Sequence, residues 1–243
     1  MKSSYYKYFA ALLLFGSNGI VASNINLPSY EIVLLRLLLG SLFLITVFTV
    51  SRQRFTFYRN KHTCLYLFIS ASAMGASWML LYEAYQQVGI SIASLAYYCG
   101  PVIVMILSPF LFRETLTWPK IAGFLTVLAG MCLVNLQALD EGKTIWGLFC
   151  GLMSAFMYAL MVTANKKAKP ESGLENSLLQ LVIGSFIVVA FVSMQKNFVL
   201  SLTTIDWIPV LLLGLLNTGI GCYLYFSSIT DLPVQTVAIC GYL

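Results

Sequence analysis

The side chains of this chain that could do chemistry are polar or aromatic groups set inside long apolar runs: Asn18, Arg36, Trp78, Ser94, Tyr97, Tyr98, Tyr158 and Asn217. Amides, hydroxyls, an indole and a guanidinium bind and orient a small solute; they do not form a bond-breaking apparatus. A serine nucleophile needs an imidazole within hydrogen-bond reach, and the only histidine, His62, stands in a basic loop. An aspartyl dyad needs two carboxylates together in the membrane, whereas Asp140, Asp206 and Asp231 all sit at segment ends. No His, Cys or carboxylate spacing suits a metal, and no Gly-rich phosphate loop with GK[ST] occurs. The cysteines (Cys64, Cys99, Cys132, Cys150, Cys222, Cys240) fall in or at apolar runs without a C-x-x-C pair and read as small packers. The expectation is a non-enzyme without cofactor or metal, whose partners are a small-molecule substrate and the lipid bilayer.

The elements that hold these groups are membrane helices. Only 9% of residues are charged and the mean hydropathy is +0.85, against about 25% charged in a soluble domain. Uncharged runs cover 8–30, 62–82, 84–112, 121–139, 144–165, 176–195 and 207–230, and 32–50 is broken only by Arg36. That makes eight candidate spans of about 20 residues each, and a ninth starts at Leu232. Membrane-barrel strands would be about 10 residues long with alternating polarity, so the fold class is an all-α polytopic membrane protein. With the N-terminus in the cytoplasm, eleven of the fourteen Lys and Arg fall in inner loops (at 2–7, 52–61, 113–120 and 166–169) and only Lys143 and Lys196 in outer ones. This is the positive-inside pattern. The net charge of +5 is therefore a topology signal, and nucleic acid is excluded as a partner.

The run Ala84–Phe112 carries Gly100-Pro101 at its middle. Pro101 donates no backbone hydrogen bond and leaves the Tyr97 carbonyl without its usual helical partner. Freed carbonyls in lipid must face protein or a water-filled cavity, so the pair is expected to break the helix beside a substrate cavity. Ser91, Ser94, Tyr98, Pro101, Met105 and Ser108 form one polar stripe on this segment, at steps of three and four. On the segment before it, Ser70, Ala73 and Ser77 form a small face, and Met74, Trp78, Tyr82 and Tyr85 an aromatic one. Tyr158 shares a face with Ser154, Met161 and Asn165. Asn18 either lines the cavity or hydrogen-bonds between helices. The residues Gly214, Asn217, Thr218, Gly219 and Gly221 point to close packing or unwinding at mid-membrane. Arg36 is expected to face the bundle interior in an ion pair with Glu83. Glu31, Glu83, Glu114 and Glu175 all lie near interfaces; without a carboxylate at mid-depth, the substrate is expected to be uncharged or zwitterionic.

The chain also repeats. A shift of 144 lays EIVLLRLLLGS (31–41) on ENSLLQLVIGS (175–185) with six of eleven residues identical, Glu31/Glu175, Gly40/Gly184 and Ser41/Ser185 among them. The two segments run in opposite directions, which predicts inverted repeats of five spans, 1–140 and 144–243, with a site at their interface.

These features resemble the EamA-type branch of the drug/metabolite transporter superfamily. The resemblance rests on Arg36 in RLLLGSLFL, on Ala84 to Pro101 ending in YYCGP, on FRETLT (112–117) followed by IAGFLTVLAG, and on the duplication. It implies a ten-helix inner-membrane carrier of two inverted five-helix repeats, its cavity lined chiefly by helices one, three, four, six, eight and nine. Many such carriers export amino acids or other metabolites. The resemblance thus supports inward roles for Asn18, Trp78, Tyr98 and Tyr158, and architectural ones for Arg36 and Glu114. The 144 offset puts the counterparts of Pro101 and Glu114 at 245 and 258. A chain ending at Leu243 is therefore expected to be a C-terminally truncated carrier, lacking part of helix nine and helix ten. The alternative expectation is a non-transporting membrane subunit or an inactive remnant.

Overall fold

A computed structural model describes residues 2–22, 24, 25, 27–115, 145–194 and 207–241, with scattered positions between 117 and 129. The fifth expected span, Ile121 to Leu139, lies largely outside the described residues. Every regular element described is helical. α1 (Lys2–Gly16) and α2 (Asn18–Ala22) are followed by α3 (Ser29–Val50), a 3₁₀ turn (Phe57–Arg59), α4 (Lys61–Tyr97) and α5 (Cys99–Phe112). The second half contributes α6 (Ile145–Ala168), α7 (Gly173–Ser193), α8 (Trp207–Leu211), a π-helical stretch (Leu212–Ile220), α9 (Gly221–Ser228) and α10 (Val234–Cys240). Five helical runs among the described residues are long and apolar enough to cross a membrane: 30–50, 61–112, 145–168, 173–193 and 207–228.

The run from Lys61 to Phe112 has 52 residues, more than twice the roughly 20 that one crossing needs. Gly89 interrupts it with φ 77° and ψ 164°. A Cβ built on Gly151 of α6 would lie 2.8 Å from the Cβ of Ala96 and 3.8 Å from that of Ala84. Twelve residues of straight helix would separate Ala84 from Ala96 by about 18 Å. The chain therefore doubles back at Gly89, later than the 82–84 boundary expected from sequence. Glu83 stays inside the helix close to this turn, where its Oε1 accepts from Gln87 Nε2 at 3.1 Å and Trp146 Nε1 at 3.4 Å. A side chain at Gly89 would meet open space, so backbone conformation alone fixes the glycine there. Gly89→Ala is expected to cost about 1–3 kcal/mol, seen as a lowered unfolding temperature of the detergent-solubilised protein.

Small residues set the helix contacts, as lipid demands. Ser77 Oγ donates to the Ser154 carbonyl at 2.9 Å and Ser154 Oγ to the Ser77 carbonyl at 2.7 Å, locking α4 to α6. The amides of Asn165 and Asn176 pair reciprocally, and Asn176 also serves the Phe226 carbonyl at 3.0 Å. Ser41 and Ser185, 144 positions apart, bring their hydroxyls to 3.0 Å.

At the basic end, α3, α5 and α6 stop close to Arg52, Arg113 and Lys169, each in the left-handed conformation. A cation there also favours the negative helix C-terminus. Lys166 Nζ donates to the carbonyls of Ile229, Thr230 and Leu232, tying α6 to the end of α9. Two carboxylates add ties of their own. Ser172 and Glu175 have the spacing of a capping box, but Glu175 turns away and accepts from Thr56 N (2.6 Å), Phe57 N (2.9 Å) and Thr56 Oγ1 (2.6 Å). Glu114 accepts from Val234 N at 2.8 Å and Gln235 N at 3.1 Å, at the start of α10.

Candidate substrate site

Interruptions of regular helix put polar groups in the interior. The first segment, expected as one helix over Tyr5–Val21, is broken at Ser17, whose hydroxyl donates to the Leu14 carbonyl at 2.7 Å. Asn217 clamps that break: its Nδ2 lies 3.0 Å from the Leu14 carbonyl, 2.9 Å from Ser17 Oγ and 2.9 Å from Asn18 Oδ1. Asn18 and Asn217 thus meet, and Asn18 makes an interhelical hydrogen bond. Asn217 is fully enclosed while Asn18 is half-buried. The π stretch that carries Asn217 also supplies Thr218, whose hydroxyl bonds the Leu213 carbonyl five residues back at 2.8 Å. Stretches of this geometry recur at functional sites. The glycines around it admit close approach: a Cβ at Gly214 would fall 2.6 Å from Leu39 Cβ, and one at Gly219 2.7 Å from Phe43.

In the fourth segment the interruption falls at Tyr98, ahead of Gly100-Pro101. The two residues form the first turn of α5 instead of breaking a helix at mid-length, because a proline in a first turn forgoes a hydrogen bond that has no helical acceptor anyway. Gly100 has a separate reason to be glycine: a Cβ would lie 2.7 Å from the Tyr158 ring.

Around these breaks the aromatic side chains converge. Tyr97 meets Tyr158 edge-on at 5.5 Å, and Tyr98 lies 6.5 Å from Tyr97. The Tyr158 hydroxyl reaches that of Tyr225 at 3.4 Å. Tyr225 packs against Tyr8 at 5.6 Å and Phe15 at 5.7 Å, and Tyr8 Oη donates to the Val237 carbonyl at 2.8 Å. Ser94 stands beside the Tyr85 phenol, and Tyr85 meets Tyr82 at 5.3 Å. Trp78, Ser94, Tyr97, Tyr98 and Tyr158 each keep some accessible surface. Tyr8 and Tyr225 escape the sequence reading, and Thr218 enters it only as part of a closely packed or unwound stretch. Tyr8 looks like an interfacial tyrosine near the N-terminus, and the π stretch shifts the register that would have aligned Tyr225 with Asn217 and Thr218.

Arg36 corrects an expectation. It forms no ion pair with Glu83; its Nε donates to Thr218 Oγ1 at 2.9 Å, and its guanidinium lies over the Trp78 ring, 4.5 Å from the centroid. Arg36 is only 5% exposed. An unaccompanied arginine at the centre of a span costs about 2.5–3.5 kcal/mol by insertion scales, and a desolvated cation–π contact returns about 2 kcal/mol or more.

A cavity of about 730 Å³ opens elsewhere, at the basic end, between Thr56–Leu67, Leu111–Arg113 and Lys166–Glu175. Its basic lining includes Arg59, His62, Arg113, Lys166 and Lys167. It holds none of the interior aromatic residues.

The sequence profile of the EamA-like transporter family matches residues 3–136 and 145–243. The chain belongs to that family. EamA-like transporters are non-catalytic membrane carriers, so this family member is a multi-pass membrane transporter and not an enzyme. It is 26% identical over 244 residues to the uncharacterized transporter YxxF of Bacillus subtilis, covering 98% of this chain and 76% of the relative. It is 22% identical over 183 residues to a biotin transporter of Salmonella typhimurium, covering 74% of this chain and 61% of the relative. A similar protein of Acidianus ambivalens, an uncharacterized transporter, is 26% identical over 145 residues and is covered to 56%. A solved protein crystal structure superposes on 100% of this chain and 84% of its own with a TM-score of 0.80 at 17% identity. That likeness concerns the fold of this family member.

Proposed function

We propose that this EamA-like protein is a secondary transporter of a small metabolite such as an amino acid, working as an exporter by alternating access. The halves 1–140 and 144–243 are inverted repeats that rock about a central site, in the inner membrane with the N-terminus in the cytoplasm. The observation that carries this reading is the convergence of interrupted helices on one aromatic and amide-lined interior. Ser17, Tyr98 and the π stretch each break regular helix, and Asn18, Tyr97, Tyr98, Tyr158 and Asn217 gather beside the breaks. Broken helices at a repeat interface are how such carriers present backbone and side-chain dipoles to a solute. Glu114 and Glu175 support the rocking motion, because each ties one half to the other at the same end. The relatives named as biotin transporters support including biotin among the solutes to be tested.

The test is counterflow in proteoliposomes across a metabolite panel that includes amino acids and biotin. Tyr98→Phe and Asn18→Ala are each expected to lower the rate about 5- to 10-fold at unchanged expression, the loss of one hydrogen bond of about 1 kcal/mol. Wild-type rates in both variants would remove these residues from the site.

A further inference from the structure

The carrier reading leaves the chemical class of the solute open, and Arg36 narrows it. Its guanidinium has two close neighbours among the described residues: Thr218 takes Nε, and Trp78 covers one face. Both terminal nitrogens remain without a hydrogen bond or a carboxylate among the described residues. They are also absent from the enclosed, unpartnered polar atoms, which are Tyr30 Oη, Glu31 Oε2, Ser72 Oγ and Gln180 Nε2. The terminal nitrogens therefore keep accessible surface although Arg36 as a whole is 95% buried, at 5% relative exposure. A guanidinium is a planar, positively charged fork of N–H donors with no acceptor. Its surroundings are aromatic and neutral: Trp78 lies beneath it, and Tyr85 and Cys222 are within its electrostatic reach. A planar fork fixed at its base, covered on one face and open at its tip fits one ligand group above others: a carboxylate, bound by two parallel N–H···O bonds.

We infer that Arg36, oriented by Thr218 and Trp78, is the recognition point for the carboxylate of the transported solute. The solute is a monocarboxylate or zwitterion with an apolar or aromatic body that lies against Trp78, Tyr82 and Tyr85. The inference rests on the carrier reading for its biological use but not for its binding chemistry. Occupancy by a carboxylate pairs the bare buried charge, so the loaded site is neutral at this point. Thr218 belongs to the π stretch, so movement of that stretch would reorient the fork.

The experiment uses matched probes on the purified full chain in detergent: 3-phenylpropionate, its neutral amide 3-phenylpropionamide, and L-phenylalanine, by equilibrium dialysis. The acid is expected to bind about 10-fold or more tightly than the amide, as charged hydrogen bonds outweigh neutral ones, and L-phenylalanine is expected to compete with the acid. Arg36→Gln is expected to abolish the preference and Arg36→Lys to restore part of it, a lysine keeping the charge without the fork. Should Arg36→Gln fail to fold, the wild-type acid-to-amide comparison and the protection of Arg36 from phenylglyoxal by the acid alone decide the matter. Equal binding of acid and amide, no acid binding at millimolar concentration, or a preference that survives Arg36→Gln overturns the assignment. Counterflow that ignores the carboxylate sinks this inference and spares the carrier reading. Acid-selective binding without counterflow does the reverse.

Discussion

Gly75→Leu is expected to leave almost no monodisperse protein after detergent extraction, at a cost above about 3 kcal/mol. Overpacking a core commonly costs about 1–3 kcal/mol when side chains can yield. Here they cannot. A Cβ at Gly75 would lie 2.9 Å from the Gly184 carbonyl oxygen and 3.3 Å from Gly184 Cα, so the obstacle is the backbone of α7 itself. Relief requires moving one whole helix off another. Two other glycines calibrate the result. Gly184→Ala, on the facing side of the same contact, meets the terminal methyl of Met74 at 2.8 Å, a flexible group that can swing aside. Gly16→Leu points into open space. Size-exclusion profiles of the three variants should therefore rank Gly16→Leu near wild type, Gly184→Ala slightly below and Gly75→Leu far below. A normal profile for Gly75→Leu would show that α4 and α7 do not meet as described.

Glu175→Ala is the second large effect, expected to cost about 2–4 kcal/mol, since hydrogen bonds to a charged group contribute about 1.5–3 kcal/mol each. Three such bonds vanish together, but Thr56 and Phe57 are half-buried and water recovers part of the loss. The consequence is local before it is global. The connection from α3 to α4 loses its hold on α7, and trypsin should cut after Arg54 and Arg59 several-fold faster than in wild type. Glu175→Gln keeps one acceptor oxygen and should fall between the two. Unchanged cleavage in Glu175→Ala would mean that the loop is held by something other than this carboxylate.

The spans and the family were legible in the sequence for a physical reason. Lipid offers no partner to a backbone amide, so every crossing must be an unbroken apolar helix or a protected interruption, and both leave marks. Asn18 was legible as a polar group that lines the cavity or bonds between helices, and Asn217 as part of a closely packed or unwound stretch, though not as partners of each other. What stayed hidden depends on geometry that residue type does not encode. The turn at Gly89 is one glycine among many, and Glu83 misled because a charge at a helix end need not end the helix. The ion pair expected for Arg36 followed from charge alone, whereas the guanidinium is held at its base and on one face by a threonine hydroxyl and a π face. That hydroxyl is presented by a π-helical stretch, and no hydropathy period announces five-residue hydrogen bonding. The break before Gly100-Pro101 was placed slightly late because proline's effect falls on the turn preceding it.

The Ser41–Ser185 contact has a consequence for ancestry. The two hydroxyls belong to corresponding positions 144 residues apart and lie 3.0 Å from each other. In an isologous pair of identical subunits, a residue touches its own copy only on the dyad. Were the two halves separate, identical five-helix chains inserted in opposite orientations, this serine would be the point where each protomer meets itself. A polar contact that needs only one residue type to complete itself would hold such a dimer at its axis.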